Sequence, residues 1–247
     1  MSNPAPRPVQ LFATCLVENL RPGVGLATVE LLERYGCAVS CPRGQTCCGQ
    51  PAYNAGCVED AREMARATIA VLERWPEPVV IPSGSCADMI VHRYVEILKD
   101  DKEWHARALD VASRTYELSQ FMVRVLKAEQ IPSPKAGPVA YHASCHLLRG
   151  LGESDAPRRL LAQRLGESLV PLQGSEECCG FGGLFAIKMS DISGAMLKRK
   201  LDHLKTSGAR TVVACDTGCL LHLEGGLRRE GSGRRALHLA EVLVDEG

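Results

Sequence analysis

One cysteine pattern occurs twice in this chain, and that repeat constrains the fold more than any other feature. In the first half Cys15 stands alone, the vicinal pair Cys47-Cys48-Gly49 follows, and Cys86 closes the set. In the second half Cys145 stands alone, Cys178-Cys179-Gly180 follows, and Cys219 closes the set. Corresponding intervals in the two sets differ by no more than two positions. Eight of the twelve cysteines therefore fall into two quartets of nearly equal spacing, which implies duplicated units that each gather thiols at one point in space. Cys15 closes the apolar run from Val9 to Thr14, and Cys145 closes the run from Val139 to Ser144, so each lone cysteine should stand at a strand end. Cys86 follows Val79 to Ser85 and Cys219 follows Val212 to Gly218, each closing a strand and preceding a helix. Gly49, Gly180, Gly182 and Gly183 suit tight loops whose backbone comes close to a bulky group.

With 247 residues, the chain has room for two domains of roughly 120 residues, each with its own core. Lysine plus arginine equals aspartate plus glutamate, 29 of each, so no overall field draws it to nucleic acid or to an acidic membrane surface. Met1 to Pro8 lack the charged-then-apolar layout of a secretory signal. No window approaches the roughly 18 apolar residues of a transmembrane segment, and a cytoplasmic location is expected. That compartment keeps thiols reduced, which makes metal or redox chemistry a better reading of twelve cysteines than disulfides.

Short continuous apolar runs alternate with helical spacing, the pattern of an α/β protein with buried parallel sheets. In the first half the reading is strand Val9 to Thr14, helix Val24 to Arg34, strand Ala38 to Cys41, helix Val58 to Trp75, strand Val79 to Ile81, helix Asp88 to Lys99 and a long helix Trp104 to Lys127. Three prolines between Pro132 and Pro138 mark a linker, placed at 132–137 between domains at 1–131 and 138–247. The order then recurs: strand Val139 to His142, helix Ala156 to Leu165, strand Leu169 to Leu172, helix Ile192 to Lys205, strand Thr211 to Ala214 and a helix from Leu220. Leu237 to Val244 reads equally as strand or helix. Two tandem, pseudo-symmetric Rossmann-like units follow. Ligands of such sheets collect beyond the carboxyl ends of the strands, where Cys15 with Cys86, and Cys145 with Cys219, should meet their Cys-Cys-Gly loops.

Four thiolates suit structural zinc or an iron–sulfur cluster. Zinc sites usually take ligands in close pairs two to four residues apart, whereas the close set here is a vicinal pair that points in two directions. Spacing thus favours iron–sulfur for the second quartet, with zinc as the alternative. The closely spaced cysteine run of ferredoxins is absent.

The doubled pattern resembles the cysteine-rich CCG domain found in a subunit of heterodisulfide reductase, in iron–sulfur subunits that oxidise glycolate and glycerol-3-phosphate, and, most closely, in the lactate utilisation protein A family. The resemblance is carried by Cys47-Cys48-Gly49-Gln50-Pro51-Ala52, Pro82-Ser83-Gly84-Ser85-Cys86, Tyr141-His142-Ala143-Ser144-Cys145, Cys178-Cys179-Gly180-Phe181-Gly182-Gly183 and Asp191-Ile192-Ser193-Gly194, which span nearly the whole chain. It implies a cytoplasmic redox subunit of a multi-protein system that oxidises L-lactate to pyruvate, not active alone, beside a ferredoxin-type iron–sulfur subunit and a third small protein. It also implies an iron–sulfur cluster, [4Fe-4S] in type or noncubane in the second half, held by Cys145, Cys178, Cys179 and Cys219, and a second site at Cys15, Cys47, Cys48 and Cys86. In the heterodisulfide reductase relative a fifth cysteine precedes the last one of each motif. Cys215, four residues before Cys219, is the additional ligand this suggests, while Pro82 and Ser83 occupy the corresponding place in the first half.

His142 and His146 bracket Cys145 and are candidates for proton transfer or hydrogen bonding to cluster sulfur, with a backbone-satisfied histidine as the plain alternative. Cys37, Cys41 and Cys57 read as buried structural thiols, and His92 and His222 as solvent-facing. Gly23-Val24-Gly25 lacks the third glycine of a dinucleotide fingerprint, Thr28 standing in its place, so it reads as a helix start. Without a flavin, nicotinamide or P-loop signature, a lone dehydrogenase is not expected. Arg149, Arg158 and Arg159 suit either carboxylate steering or an ordinary surface. Two further readings stay open: a zinc-stapled scaffold of an oxidoreductase, and a CCG-type subunit acting on glycolate, glycerol-3-phosphate or a disulfide.

Overall fold

A computed structural model describes residues 5–129 and 137–245. These residues divide into two compact units that meet in sequence between Leu126 and Lys127. Linker positions 132–136 lie outside the described residues.

The first unit runs β1 (Arg7–Leu11), α1 (Cys15–Leu20), α2 (Pro22–Arg34), β2 (Cys37–Ser40), α3 (Gln50–Asn54), α4 (Val58–Leu72) and β3 (Val79–Ile81). It continues with α5 (Gly84–Asp88), a π-helical turn (Met89–Arg93), α6 (Tyr94–Ile97), α7 (Lys102–Ser113), β4 (Thr115–Glu117), α8 (Leu118–Gln120) and a second π-helical turn (Phe121–Val125). Its sheet is parallel throughout, in the order β2-β1-β3-β4. The second unit runs β5 (Val139–Tyr141), a π-helical turn (His146–Gly150), α9 (Ala156–Leu165), α10 (Leu184–Lys188), α11 (Ser190–Thr206), β6 (Thr211–Ala214), α12 (Thr217–Arg229), β7 (Arg235–His238) and α13 (Leu239–Val244). Its parallel sheet has the order β5-β6-β7, and a bridge from Val139 to Leu169 lies on the other side of β5, in the place β2 takes in the first unit.

The duplication extends to the buried faces. Helix α4 buries Ala61, Ala65, Thr68, Ile69 and Leu72, and α11 buries Ser193, Leu197, Lys200, Leu201 and Leu204 at the same offset. Both stripes follow the 3.6-residue period and cover a sheet of short apolar strands, Val79 to Ile81 in one unit and Val212 to Ala214 in the other.

Three expected elements come out differently. The long helix from Trp104 to Lys127 ends at Ser113, and Thr115–Glu117 pairs with β3 as a fourth strand. A polar Thr-Tyr-Glu strand carries no apolar run to announce it. Glu117 is nevertheless fully buried, because its carboxylate caps α8 by accepting the Ser119 N–H at 2.8 Å. The strand expected at Leu169 to Leu172 shrinks to one bridge, in which the Val170 N–H donates to the Val139 carbonyl at 2.8 Å. Pro171 has no N–H with which to extend that ladder. The undecided segment Leu237 to Val244 is both elements: β7 ends at His238, which caps α13 in a capping box with Glu241. Glu117 with Gln120 forms the corresponding box in the first unit.

Candidate metal centres

The strand order reverses between β1 and β3 in the first unit, and between β5 and β6 in the second once the Leu169 bridge is counted as its second strand position. A crevice opens at such a switch point beyond the carboxyl ends of the strands. The quartets sit on the segments that leave those strands. Cys15 is the first residue of α1, whose cap Thr14 accepts the Val17 N–H at 3.3 Å, and Cys145 stands at the head of the π-helical turn that begins at His146. Cys86 is the third residue of α5 and Cys219 the third residue of α12. Their caps have nearly the same extended backbone, φ −166° and ψ 118° at Ser83, φ −146° and ψ 118° at Asp216. The expected helix starts at Asp88 and Leu220 were therefore four and three residues late, and both cysteines lie inside the first turn.

The vicinal pairs arrive from the loop after the second strand position, and their glycines let the loop lie against a helix. Gly49 has φ +83° and Gly180 has φ +93°. A Cβ on Gly180 would stand 2.7 Å from the Ser193 carbonyl oxygen of α11, and one on Gly49 would stand 3.1 Å from the Met64 Cβ of α4. The Gly180 N–H donates to Cys178 Sγ at 3.3 Å and the Phe181 N–H to Cys179 Sγ at 3.5 Å, contacts that favour thiolate character. The Tyr94 hydroxyl holds the first loop from behind, donating to the Cys48 carbonyl at 2.8 Å. In the second unit the Ser193 hydroxyl does this for Gly180, at 2.7 Å from its carbonyl oxygen.

The four sulfurs of each quartet form a chain in the same order, Cys15 to Cys47 to Cys48 to Cys86 and Cys145 to Cys178 to Cys179 to Cys219. Cys48 and Cys86 sulfurs lie 3.2 Å apart. Hydrogen bonds from both flanking thiols pull Cys47 and Cys178 well below the ordinary thiol range. The same bonds, with burial second or third in order, raise Cys15, Cys48, Cys145 and Cys179. Cys219 is lowered to about 6, first by its bond from Cys179 and, against the opposing effect of burial, by His142. Each site thus concentrates negative charge on the first cysteine of its vicinal pair, Cys47 or Cys178, joined in the second unit by Cys219. Cys48, Cys86, Cys179 and Cys219 are buried and the other four are half-buried, so each site has a closed side and a side near the surface.

The cysteine-rich domain model matches residues 9–91 and 139–224, one copy per unit and each containing a whole quartet. The lactate utilization protein A of Shouchella clausii is 47% identical over 235 residues, covering 95% of this chain and 98% of its own. Those of Halalkalibacterium halodurans and Macrococcus caseolyticus are 47% and 46% identical, with 95% and 96% of this chain covered and 96% of each of theirs. The chain belongs to the lactate utilization protein A family. A solved structure described as a hypothetical protein from Helicobacter pylori aligns with all of the chain at a TM-score of 0.67 and 16% identity, and the match spans half of that protein, a likeness of fold.

Within this family member, the remaining candidates separate. His142 is fully buried, and its ring nitrogen lies with the Cys179 and Cys219 sulfurs in one group of atoms within 4.8 Å of one another. His146 is half-buried at the start of its π-helical turn. Cys215 is fully buried at the end of β6, its sulfur 3.9 Å from the Tyr141 hydroxyl. Cys37 is buried as expected, but Cys41 and Cys57 are exposed, because they flank the sheet and the helix instead of facing either core. His222 is not solvent-facing: it is half-buried, with Nε2 3.3 Å from Ser193 Oγ and its ring beside Phe181. His92 is largely exposed and pairs with Asp88 at 3.1 Å. Arg149 donates to the Glu176 carbonyl at 2.9 Å and Arg158 lies 3.4 Å from the Glu176 carboxylate, while Arg159 is exposed. Sequence reasoning missed the capping of the last cysteines by Ser83 and Asp216. Their signal was present, a serine or aspartate three residues before each cysteine.

Proposed function

We propose that this chain is an iron–sulfur redox subunit of a multi-protein, cytoplasmic system that oxidises L-lactate to pyruvate. The observation that carries the reading is the pair of matched thiol chains, each at the switch point of a parallel sheet, in a family whose members bear the lactate utilization name. Cys145, Cys178, Cys179 and Cys219 would hold one cluster, and Cys15, Cys47, Cys48 and Cys86 the other. The residues fit such a group: the donors are soft, backbone N–H groups point at the Cys178 and Cys179 sulfurs, and Cys47 and Cys178 favour ionisation. When bound, the cluster supplies one-electron transfer. The chain's own part is to keep one side of each site dry through Cys48, Cys86, Cys179 and Cys219 while the half-buried cysteines leave a short path to a partner surface. A ferredoxin-type iron–sulfur subunit and a third small protein complete the proposed system. No described helix is long and apolar enough to cross a membrane.

The test is the iron, acid-labile sulfide and zinc content per chain after purification without oxygen, with electron paramagnetic resonance before and after reduction. Iron and sulfide in matching amounts, reduced by Cys178→Ser with Cys179→Ser, are the expected result. Stoichiometric zinc without sulfide, even after anaerobic reconstitution, would turn the chain into a scaffold. Unchanged growth on L-lactate after deletion of the gene, in a strain with no other lactate dehydrogenase, would remove the substrate assignment.

A further inference from the structure

The two quartets are matched, but the residues that flank them in sequence are not. The residue three places before the lone cysteine is Phe12 in the first unit and His142 in the second, and both are fully buried. Among the described residues, no hydrogen-bond partner of ordinary geometry meets either ring nitrogen of His142, although the ring lies near enough to lower the Cys219 thiol. A neutral imidazole still carries one N–H, and leaving such a donor buried and unmatched costs on the order of 1–3 kcal/mol. Beside it are the Cys179 and Cys219 sulfurs. Two more buried hydroxyls that find no partner among the described residues flank this quartet in sequence, Ser144 before Cys145 and Thr217 before Gly218-Cys219. At the matching positions of the first unit stand Thr14, which caps α1, and Gly84. Among the described residues, the second quartet therefore has unmatched donors at three positions, His142, Ser144 and Thr217, whose first-unit counterparts are Phe12, the capping Thr14 and Gly84.

We propose that His142 is a positioning residue of the second centre, donating a ring N–H to the sulfur of Cys219 or of the bound cluster and making that centre easier to reduce. The inference rests on the iron–sulfur reading above. Reduction adds one electron and breaks no bond. In the proposed system the electron comes from oxidation of the hydroxy acid, and in the test from dithionite. The added charge spreads over the sulfurs, where a donated N–H stabilises it, and hydrogen bonds to sulfur are among the levers that set such potentials. Asp216, at 5% exposure, and Lys200, at 1%, bring opposite charges near the same sulfurs, so substitution of His142 within this site isolates its effect better than a comparison of the two sites.

The experiment is a potentiometric titration followed by electron paramagnetic resonance, in the full chain carrying Cys47→Ser and Cys48→Ser so that the second centre alone reports. His142→Phe copies the first unit and removes the donor, whereas His142→Gln keeps one. The expected result is a reduced-to-oxidised ratio about tenfold lower at a fixed potential in His142→Phe, about 59 mV for one electron, with most of that difference restored in His142→Gln. Loss of iron in His142→Phe with retention in His142→Gln also supports the proposal, since the donor separates the two variants. An unchanged potential in His142→Phe at full iron and sulfide content overturns it, as does loss of iron from both variants. Absence of iron and sulfide from the unmodified chain would overturn the proposed function and this inference together, which tells the two failures apart.

Discussion

Gly180 shows how narrowly a single residue can place a ligand pair. Its φ of +93° costs an L-residue about 1–2 kcal/mol, and a Cβ there would meet a backbone oxygen, Ser193 O at 2.7 Å, which cannot swing away. Gly49 faces the Cβ of Met64 at 3.1 Å, a milder contact. Gly180→Ala should therefore destabilise the metal-free protein by about 2 kcal/mol or more, and by more than Gly49→Ala, as read from urea midpoints. The thiols allow a second prediction. Cys47 and Cys178 are lowered by hydrogen bonds from their neighbours, so they stay ionised as pH falls. In metal-free protein their alkylation should persist near about pH 6, where a free thiol of pKa about 8.5 is almost wholly protonated. Mass spectrometry of peptides labelled at that pH, with exposed Cys57 as the internal comparison, checks it.

At the scale of elements, the sites depend on how helices begin. Ser83 accepts the Cys86 N–H and Asp216 accepts the Gly218 N–H at 3.1 Å, so each cap orients the turn that carries the last cysteine. Ser83→Ala should cost about 1 kcal/mol, seen as a lower denaturation midpoint. Tyr94→Phe removes the hydroxyl that satisfies the buried Cys48 carbonyl and should cost about 1–3 kcal/mol, with weaker iron retention at the first site alone. Elements also mark where reading the chain reached its limit. The stripes on α4 and α11 were legible because burial repeats every three or four residues. Strand β4 was not, since Thr115, Tyr116 and Glu117 become a strand through pairing with β3, and the Glu117 carboxylate finds its partner only once α8 has formed.

Across the whole molecule, each unit has its own sheet, its own core and its own quartet. Loading of the two sites should accordingly be independent. Cys47→Ser with Cys48→Ser should remove about half of the iron and sulfide, as expected when four of eight equivalent ligands define each centre, and leave the resonance signal of the second centre in place. Loss of all iron from that variant would mean that the sites fold or load as one.

The sequence by itself determined the duplication, the eight thiols and their order, and the parallel α/β frame, because spacing and apolar period are properties a linear chain carries openly. It also placed His142 next to Cys145 without saying what the ring would meet. Tertiary structure alone decided that His142 lies against Cys179 and Cys219, while Phe12, at the matching position of the first unit, is a buried ring that carries no donor. It likewise decided that Glu117 and His238 end strands as caps, and that Cys41 and Cys57 face outward. The physical reason is common to all of these. A side chain's burial and hydrogen-bond partners are set by segments tens of residues away, and they take on meaning only when the sheet has brought those segments together.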